Sequence, residues 1–364
     1  MKILFILPRY HTNYVQVFET LSKKKYKIKL CVYNFGLIEN HKFIKPKYID
    51  PSIFTKLLNF FFNSKLNKYY LPNISQFNKM MLKFSPDIVI MRPYSKLFSF
   101  FVIILSFYRK FELILYHQTD EKKLKKINFS LKFLKFFLIG KILGIKSYSP
   151  LLKRSNNLFF KNLYFLPFVS KTKLMKKKNS EKHKFLMIGK FLKKKNHEMF
   201  VKAIEFLSKD YDIEATIIGE VSTREQRNEF LRIKKIITKL KLEKQITLIK
   251  NLDNNLIQKY YIRNDYFVLP TNHDPAPYSV LEALSYGCMV LCSSTCGTKN
   301  YIKKNLNGLI FDNNNQSSLN SNMLKMIKKK RIFYKKRKKN ILYLKDSLSS
   351  ENFFSFFEKL IKKN

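Results

Sequence analysis

The stretch from Tyr266 to Asp312 leaves the chain few alternatives. It opens on a short apolar run, Tyr266-Phe267-Val268-Leu269-Pro270, closed by turn-forming residues. Thr271-Asn272-His273-Asp274-Pro275-Ala276-Pro277 comes next, then Tyr278 to Gly287, then a second apolar run, Cys288-Met289-Val290-Leu291-Cys292. The order is strand, loop, helix, strand. Proline suits the first helical position, where no hydrogen bond is lost. Val280, Leu281 and Leu284 give the helix an apolar face, and Gly287 fits its C-terminal cap. Asp274 lies at the mouth of the helix and Glu282 about two turns in. Both can face a ligand at the helix N-terminus, where backbone N–H groups attract phosphate and hydroxyl oxygens.

The same alternation runs through the chain. Lys2–Pro8 is apolar without polar alternation, as in a parallel strand buried on both faces. Tyr14–Leu21 reads as a helix and Tyr26–Tyr33 as the next strand, followed by strands at Ile88–Met91, Phe111–Tyr116 and Leu163–Pro167. His117 stands at a strand's carboxyl end, where ligands of doubly wound sheets bind. Residues 171–184 are polar, lysine-rich and aperiodic, as in a linker. A second series then begins with Phe185-Leu186-Met187-Ile188-Gly189-Lys190 and runs strand, helix, strand, helix, strand into the opening stretch. A glycine at a strand end, Gly189, admits a ligand close to the backbone, and Lys190 and Lys195 supply cations beside it. The expected domains are 1–170 and 185–349. A final amphipathic helix is expected over 350–364.

Asp274-x7-Glu282, then Gly287, Gly297 and Asn307-Gly308-Leu309-Ile310-Phe311, resembles the donor-binding signature of the retaining GT-B glycosyltransferases of family 4, the glycosyl transferases group 1. Gly189-Lys190 with Lys195 matches the family's Gly-Arg and following lysine, with Lys for Arg. Asp274 stands where the family has Glu. The loop Arg9-Tyr10-His11-Thr12-Asn13 lacks the family's glycines, and Arg9 could substitute with charge. The resemblance implies an α/β GT-B fold, two Rossmann-like doubly wound domains facing across a cleft, and transfer of a sugar from a nucleotide-sugar with retention. It implies no metal or other cofactor. In the family the C-terminal helix crosses back onto the first domain. In that scheme Lys190 and Lys195 stabilise the departing diphosphate and Glu282 holds the ribose. Asp274 faces the donor sugar, the backbone at Tyr278 and Ser279 adds dipole, and His117 touches sugar or acceptor. A glycan or lipid-linked acceptor would place the chain in cell-surface polysaccharide or glycolipid synthesis.

Charge is the other outlying feature. Lys and Arg number 71 against 25 Asp and Glu, a formal +46. Anionic partners follow, whether nucleic acid, acidic lipid or phosphorylated substrate. The excess of Lys, Asn, Ile, Phe and Tyr, with 8 Gly and no Trp, is also what A/T-rich codons yield on any fold, so charge alone assigns no function. A non-catalytic nucleic-acid- or partner-binding protein is the alternative; it explains the charge but not the ordered donor pattern, and no nucleic-acid module is evident. Phe54–Tyr70 and Ile127–Ile145 mix apolar residues with Lys and read either as segments on an acidic membrane surface or as packed helices. Leu97–Tyr108, the longest charge-free apolar run, is too short to span a bilayer and reads as a buried helix. Cys288, Cys292 and Cys296 do not form a zinc pattern and read as small apolar residues of a reduced, cytosolic chain, with the inner membrane face as its expected place of work.

Overall fold

The structure, a computed structural model, describes residues 1–11, 13–34, 43–62, 70–93, 96–118, 142–152, 162–172, 181–304 and 306–362. Much of Ile127–Ile145, part of Phe54–Tyr70 and most of the expected linker fall outside them. The chain divides into two compact units, Met1–Val169 with Ser350–Asn364, and Ser170–Ser349.

In the first unit the elements are β1 (Lys2–Leu7), α1 (Asn13–Lys23), β2 (Lys27–Val32), β3 (Lys47–Tyr48), α2 (Ile53–Phe62), α3 (Ile74–Phe84), β4 (Ile88–Met91), α4 (Lys96–Tyr108), β5 (Glu112–Tyr116), β6 (Lys146–Ser149) and β7 (Leu163–Phe165). Among the described residues the strands form one parallel sheet, β3-β2-β1-β4-β5-β6-β7. Phe5 is in register with both Leu30 and Ile90. Both faces of β1 are covered, which is why its sequence is continuously apolar. One face packs Phe5, Phe18 and Leu30, with Phe353, Phe357 and Leu360 of the last helix, Ser350–Ile361, against it. The Thr20 hydroxyl donates to Ser350 Oγ at 3.0 Å. The other face packs Leu4, Ile6, Phe77 and Phe98.

Leu97–Tyr108 departs from the buried helix its sequence suggests. In α4, Phe98, Val102 and Ile103 are buried, but Leu97, Phe100, Ile104, Phe107 and Tyr108 are exposed. An apolar sequence says that burial is favourable; it does not say that the fold supplies two covering layers.

The second unit contains β8 (His183–Ile188), α5 (His197–Leu207), β9 (Ile213–Gly219), α6 (Arg224–Lys239), β10 (Ile246–Lys250), α7 (Asn254–Arg263), β11 (Tyr266–Leu269), α8 (Tyr278–Ser285), β12 (Met289–Ser293), β13 (Gly308–Phe311), α9 (Gln316–Lys328) and α10 (Lys330–Leu348). Its parallel sheet runs β10-β9-β8-β11-β12-β13. Each sheet therefore has a Rossmann-like order, with the chain reversing direction across the sheet at β1/β4 and at β8/β11. The crevice at such a reversal, beyond the strands' carboxyl ends, is where open α/β sheets bind ligands. Gly287 has φ +72° and closes α8, with Cys288 N–H donating to Ala283 O at 2.9 Å.

Candidate functional site

The reversal in the second unit brings two loops together, one after β8 and one after β11. The β8 loop begins Gly189-Lys190 and tightens into a short helical turn, Lys193–Lys195, closed by Asn196 at φ +60°. The turn sorts its lysines: Lys193 and Lys194 are exposed, whereas Lys195 is only 8% exposed. The loop after β11 is stitched to this turn. Asn272 N–H and Thr271 Oγ1 both donate to the Lys194 carbonyl, at 2.8 and 2.9 Å, and Asn196 Nδ2 donates to Asn272 Oδ1 at 2.6 Å.

Each lysine assigned to the diphosphate has a carboxylate partner. Lys195 forms an ion pair with Asp274, both side chains being largely shielded from water. Lys190 pairs with Glu220 at 2.8 Å, and Glu220 also accepts from Ser222 Oγ at 2.7 Å. The Lys195 stem passes over Gly189, where an added Cβ would stand 3.4 Å from Cδ and Cε, in ordinary contact. Gly219, at the end of β9, is under tighter constraint: a Cβ there would come within 2.3 Å of the Gly189 carbonyl.

The Asp274 loop is held from its other side by Gly297. Its N–H donates to the Asp274 carbonyl at 2.9 Å, and a Cβ would come within 1.7 Å of Pro275 O. No side chain at position 297 fits that approach. The entry to α8 differs from the first-position proline that its sequence suggests. Pro277 is the N-cap residue itself, φ −69° and ψ 107°, and supplies no side-chain cap. The N–H groups of the first turn, including those of Tyr278 and Ser279, thus receive no side-chain acceptor from the cap position. Ser279 Oγ fastens the helix to the end of β8 by donating to Ile188 O at 3.2 Å.

Glu282 is partly buried one turn further along α8 and accepts from the Tyr261 hydroxyl at 2.9 Å. Burial pushes its carboxyl up from 4.5 to about 7, and the Tyr261 hydrogen bond offsets part of that rise. Burial first, and the charge of Glu282 after it, hold the hydroxyls of Tyr261, Tyr278 and Tyr286 above the ordinary tyrosine value. His197, fully buried and stacked on Phe191 at 4.7 Å, is pushed down to about 4 chiefly by burial and adds no charge at neutral pH.

Gly189, Lys190, Lys195, Asp274, Tyr278, Ser279 and Glu282 all belong to this one unit. Arg9 and His117 belong to the other. There Arg9 follows β1, and His117 ends β5 with its N–H donating to Tyr148 O at 2.9 Å. Two residues at those strand ends escaped sequence reasoning. Arg92 directly follows β4 at the first unit's reversal, and Gln118 accepts from Arg92 Nη2 at 3.0 Å. The signal was present, since Arg92 interrupts the apolar run of β4 as Lys190 does that of β8. Among the described residues no group of three or more His, Cys, Asp and Glu could hold a metal ion. All four cysteines are buried and free.

Known proteins match at three levels. Residues 169–343 match the family described as Glycosyl transferases group 1. The chain is 29% identical over 116 residues to the capsular polysaccharide biosynthesis glycosyltransferase CapH of Staphylococcus aureus, and that stretch spans 31% of this chain and 31% of CapH. A glycosyltransferase of Rickettsia africae superposes with a TM-score of 0.74 at 15% identity, covering 100% of this chain and 99% of its own. HepE of Anabaena, solved in complex with UDP and glucose, gives 0.73 at 11% identity over 99% and 98%. The chain therefore carries a glycosyl transferases group 1 domain over residues 169–343, within the two-sheet α/β fold of GT-B glycosyltransferases.

Proposed function

We propose that this protein is a retaining glycosyltransferase that moves a sugar from a nucleotide-sugar to a glycan or lipid-linked acceptor in cell-surface polysaccharide or glycolipid synthesis. One observation carries the reading: at the β8/β11 reversal, a buried lysine and a carboxylate from two separate loops are locked together at the entry to α8. A fold needs no such assembly at a strand end, whereas a diphosphate and a sugar use every part of it. Lys190 and Lys195 take the negative charge that grows on the departing diphosphate, which is the kind of preorganised electrostatic contact that dominates many catalysed reactions. Glu282 accepts hydrogen bonds from ribose hydroxyls, and Asp274 from the sugar. The Tyr278 and Ser279 backbone adds the positive end of the helix dipole. In the first unit Arg9 is assigned to the donor and His117 to sugar or acceptor. Two fixed ammonium groups take over charge neutralisation, so the reaction proceeds without a metal. Nucleotide-sugar supply and a membrane-borne acceptor suit the cytoplasmic side.

CapH's name supports the polysaccharide setting, and HepE's UDP makes UDP the first nucleotide to try. Calorimetry with nucleoside diphosphates, followed by donor hydrolysis with the matching sugar nucleotides in EDTA, tests the reading. NMR of the released anomer tests retention. Lys190→Ala and Lys195→Ala should each slow turnover by roughly a hundredfold, the typical loss of one such contact. Lys193→Ala and Lys194→Ala should change it little. Absence of nucleotide binding, or equal losses in all four variants, refutes the assignment.

A further inference from the structure

In the first unit, two helices turn apolar side chains to solvent on the side facing away from the buried sheet. α2 has the sequence IFTKLLNFFF, yet among its described side chains only Thr55 is buried. Ile53, Phe54, Leu57, Phe60 and Phe61 are exposed, Phe60 by 80%, at spacings that form one helical stripe. α4 repeats the pattern. Leu97, Phe100, Ile104, Phe107 and Tyr108 form a stripe of spacing three and four along its outer side, with Phe107 59% and Tyr108 81% exposed. The inner side of α4 enters the core with Tyr70 and Phe77. α2 is tied to the same region, because the Thr55 hydroxyl donates to Leu71 O and accepts from Leu71 N–H, both at 2.8 Å. The opposite sheet face is covered by α1 and the last helix.

Two exposed apolar stripes in one unit are well beyond the scattered exposed side chains of a solvated surface and mark an interaction site. Charge selects the occupant. α2, α3 and α4 contain no Asp or Glu. Lys56 on α2, Lys79 and Lys83 on α3 and Lys110 just past α4 are all exposed. A second copy of a chain carrying +46 would meet like charge here. Nucleic acid would be met by phenyl and alkyl groups in place of cations. An anionic bilayer offers an apolar layer for the stripes and phosphates for the lysines.

We propose that this face of the first unit docks on an anionic lipid bilayer. α2 and α4 lie in the headgroup layer with their apolar stripes inward, and the flanking lysines contact lipid phosphates. Among the described residues no helix is long and apolar enough to cross a membrane, so this attachment is in the plane of the interface. It does not depend on the transferase reading and is tested without substrate. The full-length protein is floated with vesicles of phosphatidylcholine alone and with one-third phosphatidylglycerol. It should float with the acidic vesicles and far less with the neutral ones. Lys56→Glu and Lys110→Glu should each weaken binding by at least about fivefold, the worth of one lysine near an anionic surface. Phe60→Ser with Phe107→Ser should abolish it, without lowering the melting temperature, because both rings are already exposed. The chain has no Trp, so Phe107→Trp installs a single indole. Its emission should shift to the blue on acidic vesicles, while Leu231→Trp, at a position 48% exposed in the second unit, should not shift. Flotation unchanged by the paired Phe substitutions, a blue shift equal at both indoles, or concentration-dependent dimers with no vesicle binding would each overturn the proposal.

Discussion

Glu282→Gln separates the chemistry of α8 from its packing. The carboxyl is pushed up from 4.5 to about 7 because folding removes it from water, and the Tyr261 hydroxyl compensates only in part. The folded protein therefore holds this proton more tightly than the unfolded chain does. Stability from that difference is fully present below about pH 4.5 and is lost as pH rises through about 7. The whole gap is worth at most roughly 3 kcal/mol. Glutamine keeps an acceptor for Tyr261 but never ionises, so the variant avoids the penalty. It should exceed the wild type by about 1 kcal/mol at pH 5 and about 3 kcal/mol at pH 8. For a unit of this size the extra advantage corresponds to a further rise of about 4–8 °C in melting temperature between the two pH values. Function should move the opposite way. If the carboxylate receives the ribose hydroxyls, wild-type affinity for a nucleoside diphosphate should rise through pH 7 relative to the variant's. Thermal melts and calorimetry at pH 5, 6, 7 and 8 read both. A melting-temperature difference that is the same at pH 5 and pH 8 refutes the burial argument. A constant affinity ratio refutes the ribose assignment and leaves the burial argument standing.

Two further predictions concern the β8 and β11 loops. Gly189→Ala places its methyl in ordinary contact with the Lys195 stem, so the melting temperature should hold while nucleotide affinity falls. Gly297→Ala drives a methyl into Pro275 O, so both should fall; the opposite ranking in a melt would show the loop packing to be misread. Asp274→Leu or Lys195→Met alone strands a shielded charge and should cost about 3–5 kcal/mol, whereas the double variant should recover most of that loss. Additive losses in the double-mutant cycle would mean that the pair carries no coupling.

The central strands were legible because strands covered on both faces are written as apolar runs, as in β1, β11, β12 and Phe185–Ile188 of β8, whereas β3 and β6, with the sequences KY and KSYS, lack that form and were not foreseen. Gly287 was legible as a cap because glycine takes the left-handed conformation after a helix without steric cost. What sequence spacing could not give was pairing. Nothing in Gly189-Lys190 or in Lys193-Lys194-Lys195 reveals that one lysine faces Glu220, another is buried on Asp274, and two are solvated. Those differences arise from the turn closed by Asn196 and from the hydrogen bonds that Thr271 and Asn272 send to Lys194 O, contacts between segments far apart in the chain. α4 failed for the converse reason: composition reports what a helix would bury, and the number of layers above it is a property of the fold.

The carboxylate partners also change how the site must work as a transferase. Lys190 with Glu220 and Lys195 with Asp274 contribute two positive and two negative charges, so the ligand-free cluster is neutral. Long-range attraction of a diphosphate then falls to the basic surface and to the α8 dipole, not to these lysines. Their pairing serves a different end. A lysine as shielded as Lys195 needs a counter-ion to hold its orientation, and Asp274 supplies it. In the proposed reaction the arriving diphosphate takes the ammonium group over from Asp274, which frees that carboxylate for the hydroxyls of the sugar. Phosphate recognition and sugar recognition are thereby coupled through one ion pair. An asparagine at 274 would weaken both together, which two independent subsites would not do.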